Sequence, residues 1–500
     1  MSAPALFTPT VQPRSVARPL AFICAFASAL LILLALYSKP SHVVIAIAAV
    51  VGPPIVLYGA LYAYRHAEWL VFPLALVALL IQIAFFNDNL RSAFHYGATA
   101  LFCLPAILVV RRSGILRSGG FRLYVIYFAW AAITVVYSLA PVYSLARLIE
   151  AVLIMLATAA CVLQIRKPED VAQLLLRFLL ACGIMLAMLV MSTAVLPHSI
   201  TWQSPFESYD PDELANMAKA GISVFGLDRF RGLTSGPNDL GELMLVVVGS
   251  AAVCWRAVEK RGRWMLAAMI AAALALDVLA DSRSAFVAMA LGGGLFVVWK
   301  WRLRGALICA GALAAAVLVM LHRGMFDYVG RDVGTLTGRT DIWAFLIQKI
   351  RDQPILGYGY EVAGGVFDNK YFPIWWGPWD MGPHSSLHNG YLGHAIGVGI
   401  PATAFWLYIV LRPWIFALRQ KEDPWNLKPM FFLIVVPILI NNFTEQLLND
   451  FGGGIVALLF GLAWAIAERY RILALRKKET DRKTTVRALP KAIGALASAG

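Results

Sequence analysis

The stretch FLLACGIMLAMLVMSTAVL, residues 178–196, contains no charged residue and only two hydroxyl side chains. An α-helix rises 1.5 Å per residue, so about 20 such residues cross the roughly 30 Å hydrocarbon core of a bilayer. Comparable apolar runs recur from Leu20 almost to the end of the sequence. The sequence therefore predicts an all-α polytopic membrane protein.

The composition favours the same fold class and excludes others. Of 500 residues, 60% are hydrophobic and only 14% are charged, and the mean hydropathy is +0.70. An average soluble domain has about 25% charged residues, so an ordinary globular enzyme is excluded. The net charge of +14 comes from short basic clusters between apolar runs, without a basic stripe that carries interleaved aromatic residues. We therefore predict no nucleic-acid partner.

The apolar runs predict about fourteen spans, or twelve if short runs merge or are re-entrant. The six cysteines lie in or beside these runs, which predicts buried free thiols and no structural disulfide. The predicted spans are residues 19–38, 42–63, 69–86, 96–110, 122–139, 145–163, 173–196, 240–255, 264–280, 284–299, 305–321, 390–411, 429–444 and 451–467.

The distribution of basic residues predicts the orientation of the chain. With the N-terminus inside, the short inner loops hold 18 lysines and arginines and the short outer loops hold 3. The positive-inside rule then predicts that both termini are cytoplasmic. It also places two long loops, residues 197–239 and 322–389, on the outer side of the membrane, where an active site would have access to water.

We expect one membrane domain with loop elaborations, divided into four regions along the chain. The basic tail is expected to attract anionic lipid headgroups at the cytoplasmic surface. The regions are 1–196, the N-terminal spans; 197–411, the catalytic membrane region with the two outer loops; 412–467, the C-terminal spans; and 468–500, the tail.

Arginines at the predicted outer surface are candidate phosphate ligands. Arg229 and Arg231 precede one span, Arg283 lies in a short turn between two spans, and Arg339 begins a later segment. The planar guanidinium presents five N–H donors that suit phosphate oxygens. The competing interpretations are a lipid headgroup or a surface pair with a neighbouring aspartate, which contributes little.

Apolar residues follow Arg339 at helical spacing, and a glycine turn follows them. This spacing predicts an amphipathic helix that lies on the membrane or on the surface of the bundle. The apolar residues are Ile342, Phe345, Leu346 and Ile350, and the turn contains Gly357 and Gly359.

Three histidines, His384, His388 and His394, lie around the start of a span. A histidine at the outer surface can accept a proton from an attacking hydroxyl near neutral pH. Zinc is an alternative, but no cysteine lies nearby and His394 falls within the span, so no closed ligand set is completed. We predict a general base and no metal.

Four motifs in order resemble the signature of the bacterial O-antigen ligase and polymerase superfamily. The resemblance covers about residues 225–402, and outside that range the chain agrees only in being hydrophobic. The motifs are Arg229–Asn238, Ser282-Arg283, Gly338–Gly359, and His388-Asn389-x-Tyr391-Leu392 followed by Gly399.

The resemblance implies a glycosyltransferase of the bacterial inner membrane, with its active site on the periplasmic face. Its donor would be an oligosaccharide on undecaprenyl pyrophosphate, and it would need no cofactor. It implies that Arg283, Arg339 and either Arg229 or Arg231 bind the pyrophosphate. The general base would be His388, with His384 as a possible substitute. Asn238, Asn389 and Tyr391 would support the site. Membrane lipids and other polysaccharide assembly proteins are candidate partners.

Two reactions occur in this superfamily, and a third function competes with both. The motif around His388 and the basic tail favour a polymerase of O-antigen or exopolysaccharide repeat units over a ligase that transfers glycan to lipid A core. A transporter of lipid-linked sugars would need ionisable residues deep in several spans. Arg147 and Glu150 could serve, but at this helical spacing we expect them to neutralise each other.

Overall fold

The computed structural model describes residues 67–81, 103, 106–196, 201–203, 229–234, 236–322, 339–362, 387–448 and 454–497. Its helices are α1 (Val71–Ile81), α2 (Gly119–Val136), α3 (Pro141–Leu163), α4 (Pro168–Val195), α5 (Pro237–Cys254), α6 (Lys260–Ala280), α7 (Arg283–His322), α8 (Arg339–Asp352), α9 (Gly390–Arg419), α10 (Leu427–Asn441) and α11 (Ile455–Ala497). Residues 106–113 are also helical, and short 3₁₀ turns occur at Ala67–Trp69 and Ile115–Arg117.

Seven of the described helices, α2–α7 and α9, are long and apolar enough to cross a membrane. The all-α polytopic fold is therefore confirmed. Large aromatic side chains fill the core between α2, α9 and α11. Trp464 of α11 packs edge-on against Tyr124 at 4.6 Å and against Phe121 at 5.0 Å, while its indole N–H donates to the Ile409 carbonyl of α9 at 3.0 Å.

Helix α7 is a hairpin rather than one straight helix. The backbone leaves helical geometry at Arg302, which has φ 49° and ψ −123°. Beyond this residue the chain turns back, because Gly305 lies against the Val297 carbonyl and the Cys309 thiol approaches the Gly294 carbonyl at 3.6 Å. Two antiparallel arms therefore replace one helix, as the separate predicted spans 284–299 and 305–321 require.

Helix α9 contains a break at Gly399, and the glycine turn after α8 docks against it. Backbone N–H groups of Tyr358 and Gly359 donate to the carbonyls of Ile396 and Gly397 at 2.8 and 2.9 Å. The Ile400 N–H donates to the Pro354 carbonyl at 2.8 Å. Non-helical backbone within a membrane protein needs such partners, since no water is available there.

Replacing Gly399 with alanine should destabilise the protein by about 2 kcal/mol or more. The residue has φ 84°, and a Cβ there would overlap the Ile355 carbonyl, so strain and a backbone clash combine. Gly293→Ala is the matched control, because a Cβ at Gly293 meets nothing within 4 Å and alanine favours helix. Thermal unfolding in detergent measures both variants, and equal midpoints would contradict this account.

Helix α8 packs on α9 and forms a second, smaller apolar cluster. Leu346 and Ile350 of α8 contact Leu387 and Ile396, with Ile342 and Phe345 partly buried beside them. The amphipathic helix predicted after Arg339 is thus present, and its apolar face lies on the bundle. Its first residue, Arg339, is held at the predicted outer end of the bundle.

The start of the predicted basic tail is part of the folded bundle. Helix α11 runs without a break from Ile455 to Ala497. Glu468 is fully buried, accepts two hydrogen bonds from Arg471 at 2.7 and 2.8 Å, and accepts the Gly120 N–H at the start of α2 at 2.6 Å. A carboxylate at a helix N-terminus is favoured by the helix dipole. Arg471 therefore serves this contact instead of facing lipid.

Candidate functional site

A buried carboxylate, Glu445, joins three of the sequence motifs at the predicted outer end of the bundle. It lies in the connection that follows α10, and its side chain is 6% exposed. Its Oε1 atom accepts hydrogen bonds from Arg339 Nη2 at 2.8 Å and from Asn238 Nδ2 at 3.0 Å. Its Oε2 atom lies 3.1 Å from His388 Nδ1. These residues, together with Arg229, are called the Glu445 cluster below.

Arg229 enters the cluster through Asn238. Its Nη2 atom donates to Asn238 Oδ1 at 2.9 Å and to the Asp281 carbonyl at 3.1 Å, and its Nε atom donates to the Ala280 carbonyl at 2.9 Å. The cation thus interacts with the C-terminal carbonyls of α6, where the helix dipole favours positive charge. The amide of Asn238 accepts on one side and donates on the other, so it connects Arg229 to Glu445.

Arg231 is half-buried, and its backbone N–H donates to the Thr201 carbonyl at 2.9 Å. This contact extends the short antiparallel pair of β1 (Trp202–Gln203) and β2 (Arg229–Phe230). Of the two arginines between which the sequence left the choice open, Arg229 contacts Asn238 of the cluster. The guanidinium of Arg229 donates hydrogen bonds to backbone carbonyls and to Asn238, which suits a positioning role.

Arg283 lies at the rim of the cluster rather than inside it. Its side chain is 56% exposed and pairs with the Asp281 carboxylate at 3.2 Å. Asp281 has φ 47° and caps α6, and its carbonyl accepts from Arg229. Asp281 thus lies between Arg283 and the cluster.

His388 is held in a strained backbone conformation by contacts from three sides. It has φ 49°, which is unusual for a residue other than glycine. Its carbonyl accepts from Trp343 Nε1 of α8 at 3.2 Å. Two residues further on, the Gly390 N–H donates to the carbonyls of Asn442 and Glu445 at 2.8 and 3.1 Å. A side chain at Gly390 would overlap Asn442, so glycine allows this close approach.

Asn389 and Tyr391 support the same position. The Asn389 side chain caps α9 by accepting from the backbone N–H groups of Tyr391 and Leu392 at 3.1 and 3.0 Å. The Tyr391 hydroxyl donates to the Leu439 carbonyl of α10 at 2.8 Å. Both residues thus fix the start of α9 against the connection that carries Glu445.

The charges of its neighbours keep Glu445 ionised. Burial raises the pKa of this carboxyl, but the hydrogen bond and charge of His388 and those of Arg339 lower it by more, so the pKa lies below its ordinary value. An ionised carboxylate is only an acceptor, so the Nδ1 atom of His388 carries a proton. In a neutral imidazole the Nε2 atom then has the lone pair. This arrangement suits a general base.

Of the other two histidines named in the sequence analysis, the structure describes His394. His394 is buried within the bundle, with its Nε2 atom 2.7 Å from the Tyr127 hydroxyl and its ring against Trp406. His384 lies outside the described residues. Within the described part of the chain, no group of three or more histidine, cysteine, aspartate or glutamate side chains is placed to hold a metal ion.

Glu445 is the residue that the sequence analysis missed. It lies in a short loop predicted to be outer, and only lysines and arginines contribute to that prediction. The signal was available, because this is a carboxylate in a polar run between two apolar segments, NNFTEQ, on the side where the candidate arginines and His388 were predicted. An acidic residue in such a position is a candidate partner for them.

A family model matches part of the chain. Residues 266–407 match the family model described as O-Antigen ligase. The matched range contains Arg283, Arg339 and His388, while Asn238 and Glu445 lie on either side of it. A search of curated proteins found no match to the chain. The chain is thus a multi-pass membrane protein in which residues 266–407 are similar to the O-Antigen ligase family.

Proposed function

We propose that this protein is a glycosyltransferase that takes glycan from undecaprenyl pyrophosphate at the periplasmic face of the inner membrane and joins repeat units of an O-antigen or exopolysaccharide. The observation that carries the proposal is the Glu445 cluster, in which the carboxylate of Glu445 contacts Arg339 and His388 from two separate motifs. Such a set can hold a phosphate-bearing donor and remove a proton from an acceptor.

In the proposed reaction His388 Nε2 takes the proton of an acceptor hydroxyl. The hydroxyl oxygen then attacks the anomeric carbon of the donor sugar from the side opposite the pyrophosphate, which inverts that centre. The bond between the carbon and the pyrophosphate oxygen breaks, and undecaprenyl pyrophosphate leaves. Glu445 stabilises the imidazolium, as a carboxylate beside a catalytic histidine does in other enzymes.

Cations at the outer surface would stabilise the leaving group without a metal. Arg339 is 17% exposed, so an incoming anion can reach it, and Arg283 at the rim and Arg231 are further candidate ligands. Fixed positive charges stabilise developing negative charge most where they are already oriented before reaction. Arg339 meets that condition, because its Nη1 atom also donates to the Thr444 carbonyl at 2.6 Å.

A ligase that transfers finished glycan to lipid A core is the second candidate. The name of the matching family, O-Antigen ligase, favours it, and both reactions use the same donor. A lipid-linked sugar transporter is less well supported. Arg147 and Glu150, the ionisable pair in α3, form an ion pair of 3.0 Å, which neutralises them in the way the sequence predicted.

Deleting this protein from its host should distinguish the reactions. A polymerase deletion should leave single repeat units on the lipid carrier, because they are no longer joined. A ligase deletion should leave long chains on the carrier together with bare lipid A core. The measurement is mass spectrometry of the lipid-linked sugars. If neither pool accumulates on the outer leaflet, the transporter becomes the better explanation.

A further inference from the structure

Glu445 contacts two side chains that have different roles in the proposed reaction. Its Oε1 atom contacts Arg339, a candidate ligand of the donor phosphates, and its Oε2 atom contacts His388, the candidate base. As long as Arg339 holds one oxygen, part of the negative charge of the carboxylate is neutralised. The histidine then receives less electrostatic support than a carboxylate shared with no other cation would give.

Arg339 and Glu445 each have a second hydrogen bond that would remain if the contact between them were lost. Arg339 Nη1 remains on the Thr444 carbonyl, and Glu445 Oε1 remains on Asn238 Nδ2. Asn238 is in turn fixed by Arg229. An anion that displaced the carboxylate from Arg339 Nη2 would therefore exchange one contact and leave the two side chains in place.

We propose that Glu445 is a positioning residue shared by Arg339 and His388, and that binding of a phosphate-bearing donor to Arg339 releases the carboxylate from this arginine, which leaves His388 as its charged partner. The inference rests on the proposed function. Phosphate oxygens compete with Glu445 for the same guanidinium, and they suit its donors well. The base is then strengthened only when a donor is present, which restrains the site from removing protons without one.

The shared carboxylate predicts opposite effects on binding and on transfer. In Glu445→Gln the charge that competes for Arg339 is gone, so inorganic pyrophosphate should bind about tenfold more tightly. His388 loses its counter-ion, so glycan transfer should fall by at least about tenfold. A glutamate that only maintains the fold would weaken both when it is replaced.

The test uses the full-length protein in detergent, with calorimetric titration of inorganic pyrophosphate and an assay of glycan transfer in membranes. Asp352→Asn is the matched control, because it removes the same charge at the far end of α8, where the side chain is 52% exposed. It should change neither quantity. Tighter binding together with slower transfer in Glu445→Gln alone supports the shared carboxylate.

Two other outcomes separate the failures. In the first, the wild-type protein binds pyrophosphate while Glu445→Gln binds it equally or more weakly. In that case Glu445 does not compete with the donor phosphates for Arg339, so the inference is overturned and the proposed function stands. If the wild type binds no pyrophosphate, the donor site at Arg339 fails and the inference fails with it.

A second variant, Glu445→Asp, keeps the charge and tests the proposal if Glu445→Gln does not fold. It should bind pyrophosphate within about threefold of wild type and transfer glycan at least about tenfold more slowly, and wild-type transfer would overturn the proposal.

Discussion

Replacing His388 with alanine should lower glycan transfer by about 10²- to 10⁴-fold, the usual contribution of a general base. The imidazole is the group that Glu445 orients at 3.1 Å, and alanine has no atom that can accept a proton. The measurement is the amount of surface glycan per amount of protein in the membrane. The protein level should stay close to wild type, because the His388 side chain is 31% exposed.

The backbone at His388 provides the control for this experiment. Asparagine tolerates a positive φ better than most residues, and its amide can donate to Glu445, but it cannot act as a base. His388→Asn should therefore keep the local structure and still lose transfer. Normal surface glycan in either variant, with normal protein level, would contradict the assignment of His388 as the base.

Helix positions could be predicted from the sequence because lipid imposes a length and a polarity on each span. The predicted spans 264–280 and 390–411 correspond to α6, Lys260–Ala280, and α9, Gly390–Arg419. The helices are longer because charged residues at their ends leave the hydrocarbon while the backbone stays helical. Hydropathy detects where the apolar run ends and cannot detect where the helix ends.

Contacts between distant segments could not be predicted in the same way. The sequence predicts motifs that contain Gly357, Gly359 and Gly399. The direct backbone contact between these two segments depends on how α8 and α9 pack. The Glu445 cluster has the same origin, because its members come from segments as far apart as Arg229 and Glu445. Arg229 and Arg231 differ by two residues in sequence, and the sequence does not reveal that Arg229 contacts Asn238.

Replacing Arg339 with alanine should abolish transfer and also lower stability by about 2 kcal/mol or more. Removing one partner of a largely buried pair leaves a charge with less compensation, although Asn238 and His388 remain in contact with Glu445. Thermal unfolding in detergent and surface glycan would be measured together. Loss of transfer alone would not distinguish a binding role for Arg339 from a structural one.

The double variant Arg339→Ala with Glu445→Gln makes that distinction. It removes both charges, and replacing a whole buried pair is often neutral. The free energy of unfolding should therefore return to within about 0.5 kcal/mol of wild type. Transfer should stay absent, because the phosphate ligand and the partner of His388 are both gone. Arg339→Lys, which keeps one positive charge but not the fork that spans Thr444 and Glu445, should retain a small part of the activity. If the double variant regains transfer along with stability, Arg339 serves the fold and the donor phosphates bind elsewhere.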